Sequence, residues 1–105
     1  MKIRIPNKIK VGGHWIGIFY EKNLYDHHGK YGQSRFPENE IALHDRDMVN
    51  SRKSQTLIHE LLHFVDFVYN NCNLEENTVN ALATGIHALL VDLGVEFDFS
   101  EINYK

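Results

Sequence analysis

The chain has 105 residues, a net charge of −3, 43% hydrophobic residues and 24% charged residues. This suits a single domain over residues 1–105 with one modest core, and the mild acidity excludes the basic footprint of a nucleic-acid-binding protein. Cys72 stands alone, which excludes an internal disulfide and fits a reducing compartment.

The opening "MKIRIPNKIKVGG" alternates charged and apolar residues. It lacks an apolar signal core and a small-residue cleavage site, so a cytoplasmic location is expected. No run approaches ~18 consecutive apolar residues, so no membrane span is expected either. Ile3, Ile5, Ile9 and Val11 fall on odd positions, the period of a strand, interrupted at Pro6. Gly12-Gly13 marks a turn, and the β-branched and aromatic "HWIGIFYE" follows as a second strand. "NLYDHHGKYGQSRFPEN" contains Gly29, Gly32 and Pro37 and is expected to be loop, with a short strand around residues 30–34. "NEIALHD" sets Ile41 and Leu43 on one face and Ala42 and His44 on the other, as in a half-buried or edge strand.

The second half reads as helix. Asp47 or Asn50 is a candidate cap for a helix running to about Asn70, with Leu57, Leu61, Phe64, Val65 and Val68 recurring at three and four. "NNCNLEEN" interrupts it. A second helix is expected from near Glu75 to about Leu93, with Val79, Leu82, Ala83, Ile86 and Leu90 as its apolar stripe and Gly94 as its C-terminal cap. The fold class is therefore α+β: a small, mostly antiparallel N-terminal sheet followed by two helices. The tail "VEFDFSEINYK" is a short strand or loose.

The first helix carries "TLIHELLHFVD", and within it His59, Glu60 and His63 spell H-E-x-x-H. Histidines at i and i+4 share a helix face with Cβ atoms roughly 5–6 Å apart. Both imidazoles can then converge on one zinc ion at about 2.0–2.1 Å. Glu60 is rotated by about 100° from His59, beside the metal rather than on it, where it can take a proton from a water acidified by zinc. The flanking Leu57, Leu61, Leu62 and Phe64 are uncharged. A carboxylate and two imidazoles in such a setting are costly without a metal and water to satisfy them. Asp66 lies two turns beyond His59 and has two readings: it orients a ligand histidine, or it hydrogen-bonds the neighbouring loop.

A catalytic zinc takes three protein ligands and keeps one position open. The longer pattern H-E-x-x-H-x-x-G-x-x-H does not continue, because Asp66 and Tyr69 replace its glycine and third histidine. The third ligand must come from elsewhere, and Glu75 and Glu76 in the first turn of the second helix are the candidates. By helical wheel Glu75 points closer to the apolar stripe. Glu76 opens "ENTVN", an E-x-x-x-N spacing.

That spacing resembles the E-x-x-x-D of gluzincins, in which a glutamate of the following helix completes a two-histidine, one-glutamate site. "HELLHFVD", followed by Glu76, Val79, Leu82, Ala83, Gly85, Ile86, Leu90 and Asp92, resembles the small zincin-like metallopeptidases encoded by phages and prophages. The similarity is specific in the two helices and loose in the strands. It departs at His87, where an aromatic is common, and at Asn80, where a neutral amide replaces the aspartate. The resemblance implies a minimal zincin-like domain with His59, His63 and Glu76 as zinc ligands, Glu60 as general base and Asn80 supporting His59 from behind the metal. It also implies that "NEIALHDR" lines the cleft and pairs with an extended peptide or protein substrate. His44 and Tyr31 are then the candidates for stabilising an oxyanion. The resulting expectation is a zinc-dependent peptidase. The alternatives are a non-catalytic, metal-stabilised binding module, for instance in phage–host interaction, and an α+β domain without metal.

Overall fold

Pro6 divides the run of alternating isoleucines into two strands that join different sheets. In the computed structural model, which describes residues 1–105, β1 (Lys2–Arg4) precedes the proline and β2 (Lys8–Val11) follows it. The chain continues through β3 (His14–Tyr20), α1 (Leu24–His28), β4 (Gly32–Arg35), β5 (Glu40–Leu43), α2 (Asn50–Tyr69), α3 (Glu76–Asp92) and β6 (Glu96–Asp98). The result is a small α+β protein with a mixed sheet and three helices.

The main sheet has the order β2-β3-β5-β4. The β2–β3 hairpin and the β4–β5 pair are antiparallel, whereas β3 and β5 run parallel with Ile18 opposite Ile41 and Tyr20 opposite Leu43. This register puts Ile16, Ile18, Tyr20, Ile41 and Leu43 on one face, where all are buried. Leu57 and Phe64 of α2 pack onto that face with no remaining exposure. Each such side chain contributes about 1.5–3 kcal/mol of transfer free energy. The other face is thinner: Phe19 and Ala42 are covered by Leu24 of α1, a short helix in the segment expected to be loop.

The tail is ordered into the fold. β6 pairs parallel with β1, and Tyr104 forms a bridge to Tyr20 in the main sheet. The hairpin turn is drawn tight against α2, since a Cβ on Gly12 would lie 2.3 Å from Val68 Cγ1.

Both long helices start and stop close to the expected positions, but neither expected N-cap operates. Val49 precedes α2 in extended conformation without a side-chain cap, and Asn50 instead donates its side-chain amide to the Phe97 carbonyl at 2.9 Å. The stripe assigned to α3 is also narrower than its periodicity suggests. Only Val79 and Ala83 are buried, while Leu82 and Ile86 remain exposed. The reason is that α3 packs on α2, and one helix–helix contact covers less than a sheet would. No helix is long and apolar enough to cross a membrane.

Candidate metal centre

The sheet-facing residues of α2 fix how the helix is rotated. With Leu57 and Phe64 directed into the core, His59 and His63 come to the side that meets α3, and Glu60 turns toward β4. The α2–α3 turn returns the chain through two residues with positive φ, Asn71 at 54° and Cys72 at 55°. Asp66 holds this turn. Its side chain accepts from Asn70 Nδ2 at 2.9 Å and from the Leu74 N–H at 3.2 and 3.3 Å, and its carbonyl accepts from the Cys72 N–H at 3.1 Å. Of the two readings of Asp66, the loop contact is the one formed, because the carboxylate points along α2 past the histidines toward the turn.

Glu76, the first residue of α3, is thereby brought over the histidine pair. Its Oε1 lies 2.9 Å from His59 Nε2 and its Oε2 lies 3.0 Å from His63 Nε2. The two Nε2 atoms are 3.1 Å apart. Glu75 takes no part, being the extended residue before the helix. Four donors at about 2.0–2.1 Å from one zinc ion in a tetrahedron are separated by about 3.3 Å, so this triangle of nitrogens and carboxylate fits a metal with only a few tenths of an ångström of adjustment. His59, Glu60 and His63 also form a compact group of potential ligand atoms, all within 4.8 Å of one another. The His59 and His63 side chains are 17% and 23% exposed and that of Glu76 is 61% exposed, so the centre is open on the solvent side.

Glu60 is buried within this open site. Ser34 of β4 donates its hydroxyl to Glu60 Oε1 at 2.7 Å and lies 3.1 Å from the Glu60 carbonyl oxygen. Oε2 has no such partner, and since no side-chain polar atom is both buried and unbonded, it reaches the solvent of the cavity. The approach of β4 to α2 depends on Gly32, where a Cβ would stand 2.4 Å from Thr56 Cγ2 and 3.1 Å from Glu60 Cγ. Ser34 carried no sequence signal as a site residue. Gly32 did: a glycine inside a strand marks close backbone approach, and "KYGQS" contains one.

A cavity of about 730 Å³ opens over the donor set, walled by β4 on one side and α2 and α3 on the other. The strand beside it is β4, not "NEIALHDR" as expected. β5 is hydrogen-bonded to β3 and to β4, so it has no free edge, whereas β4 lies at the end of the sheet. Tyr31 lines the cavity. His44 does not, and its Nδ1 accepts from the Tyr25 N–H at 3.1 Å. Asn80 lines the cavity one turn beyond Glu76, but its side chain bonds neither histidine, and its carbonyl accepts from Thr84 Oγ1 at 2.8 Å. His87 faces a separate pocket near Asn50 and Phe97.

The fold and the site together define a small α+β protein whose central helix presents two histidines to a glutamate of the next helix. No family model, no curated protein and no solved structure matches the chain.

Proposed function

We propose that the protein is a zinc-dependent peptidase of zincin-like design, with His59, His63 and Glu76 as the metal ligands and Glu60 as the general base. The observation that carries this reading is the division of labour in the site. Three donor groups, the two imidazoles and the Glu76 carboxylate, approach one another pairwise at 2.9, 3.0 and 3.1 Å, while a fourth group, Glu60, is hydrogen-bonded to Ser34. A purely structural zinc site is closed by four protein ligands and has no use for a base beside it.

When bound, zinc supplies Lewis acidity, which acidifies water and polarises a carbonyl oxygen. Glu60 Oε2 accepts the proton of the attacking water while Ser34 keeps the carboxylate aimed through Oε1. The water oxygen bonds to the carbonyl carbon, the C–N bond breaks, and Glu60 returns the proton to the departing amine. The free edge of β4 offers unpaired backbone groups on which an extended peptide can add as a further strand. Tyr31, at the cavity wall, is the group available to donate to the carbonyl oxygen.

The test is Glu60→Gln. The variant is expected to bind zinc with wild-type stoichiometry and to lose cleavage of a protein substrate by about 10²-fold or more. Cleavage at an undiminished rate refutes the mechanism.

A further inference from the structure

The cavity runs beside β4 and α2, with basic residues toward one end and Phe36 toward the other. α2 and β4 run alongside each other in the same direction, with Gly32 against Thr56, Ser34 against Glu60, and Phe36 against Phe64 at 5.0 Å between ring centres. Near His63 the cavity is lined by Phe36, which stacks on Phe67 behind it at 4.5 Å. At the opposite end stand Lys30 and Arg52, both lining the cavity, with the Arg52 guanidinium 5.3 Å over the ring of Tyr31.

The charges at the basic end are unpaired. Neither Lys30 nor Arg52 belongs to any of the ion pairs of the fold. Of the carboxylates lining the cavity, Glu76 is held by the histidines and Glu60 is held through one oxygen by Ser34; neither pairs with Lys30 or Arg52. Arg52 also sits in the first turn of α2, which holds no acidic residue. A cation there is disfavoured by the partial positive charge of the helix terminus, and an anion beside it is favoured by both.

We infer that Lys30 and Arg52 form a specificity subsite for an acidic side chain, and that the preferred substrate is an acidic peptide segment. This rests on the peptidase reading of the same site. Arg52 stands two turns before His59, about 10 Å along the helix axis. An extended peptide advances about 3.3 Å per residue, so the acidic residue lies about three residues from the bond that is cut, on the side over Lys30. At the other end Phe36, backed by Phe67, is the wall offered to an apolar side chain.

The experiment uses fluorescent peptides matched except for Glu, Gln or Lys at the flanking position. Binding to zinc-loaded Glu60→Gln protein is read by anisotropy, and cleavage is followed with the wild type. The Glu peptides are expected to bind roughly tenfold more tightly than the Gln peptides at low salt, with the difference shrinking as salt screens it. Arg52→Glu and Lys30→Glu are expected to abolish that preference and to favour the Lys peptides, which also shows that the variants are folded. Equal binding of all three sets, absence of binding, or a preference untouched by both substitutions overturns the inference. Cleavage without acidic preference leaves the peptidase reading standing and sinks this one. Charge-dependent binding with no cleavage by the wild type does the reverse.

Discussion

Replacing Gly32 with alanine tests whether the apposition of β4 and α2 sets the position of the base. The added Cβ would lie 2.4 Å from Thr56 Cγ2 and 3.1 Å from both Glu60 Cγ and Oε2. Carbon atoms pack at about 3.5–4.0 Å, so the strand and helix must separate by about 1 Å or Thr56 must leave its rotamer. Overpacking of this kind costs about 1–3 kcal/mol. At about 4–8 °C per kcal/mol for a domain near this size, the melting temperature is expected to fall by about 5–20 °C. The Ser34–Glu60 bond, now 2.7 Å, lengthens with the gap. A misplacement of about 1 Å costs up to about 10²-fold in rate. Zinc stoichiometry should hold, because His59 and His63 meet Glu76 of α3 and not β4. The assays are thermal unfolding, metal content and cleavage rate for Gly32→Ala, Thr56→Ala and the pair. Thr56→Ala removes the closest clashing atom, so the double variant should recover about 0.5–3 kcal/mol relative to additivity. A Gly32→Ala protein that melts with the wild type, or a double variant showing simple additivity, refutes the reasoning.

Two further outcomes follow from the loops. Asp66→Ala leaves the Leu74 N–H and the Asn70 amide without their partner, at a cost of about 1–3 kcal/mol. Because that turn delivers Glu76 to the histidines, zinc affinity should fall as well, and competition with a chelator measures it. An unchanged zinc affinity in the folded variant counts against Asp66 as the positioner of Glu76. The Asp45 carboxyl is held below the usual carboxylate range, first by the Asp47 N–H and then by the Tyr104 hydroxyl at 2.7 Å. A folded-state pKa below the unfolded value contributes stability above about pH 3.9 that is lost as pH falls through the folded value. Tyr104→Phe should therefore melt below the wild type at pH 7, with the difference closing as pH drops below about 4. A difference that persists undiminished to pH 2 argues against the linkage.

Both long helices were legible because their signals are local. Leucines and aromatics at three and four, and the breaks at "NNCNLEEN" and Gly94, need no partner to be read. The strands were readable as elements but not as a sheet. The parallel β3–β5 pairing and the β1–β6 pair join residues far apart in the chain. The helix α1 gives no sequence signal because its five residues are too few to show a period, and Gly29 and Gly32 follow closely.

The amino-acid sequence by itself determined that His59 and His63 share a helix face and that Glu60 leaves it, because the helical period alone sets those angles. Tertiary structure decided the rest of the site. The helical wheel pointed to Glu75 and the E-x-x-x-N spacing to Glu76; the left-handed pair Asn71 and Cys72 and the grip of Asp66 on Leu74 bring Glu76 to the histidines. Strand order, not strand sequence, makes β4 rather than β5 the wall of the cavity. The hydroxyl of Ser34 meets Glu60 only because Gly32 lets the two elements close. Such contacts depend on where separate elements pack, and no periodicity within one element encodes that.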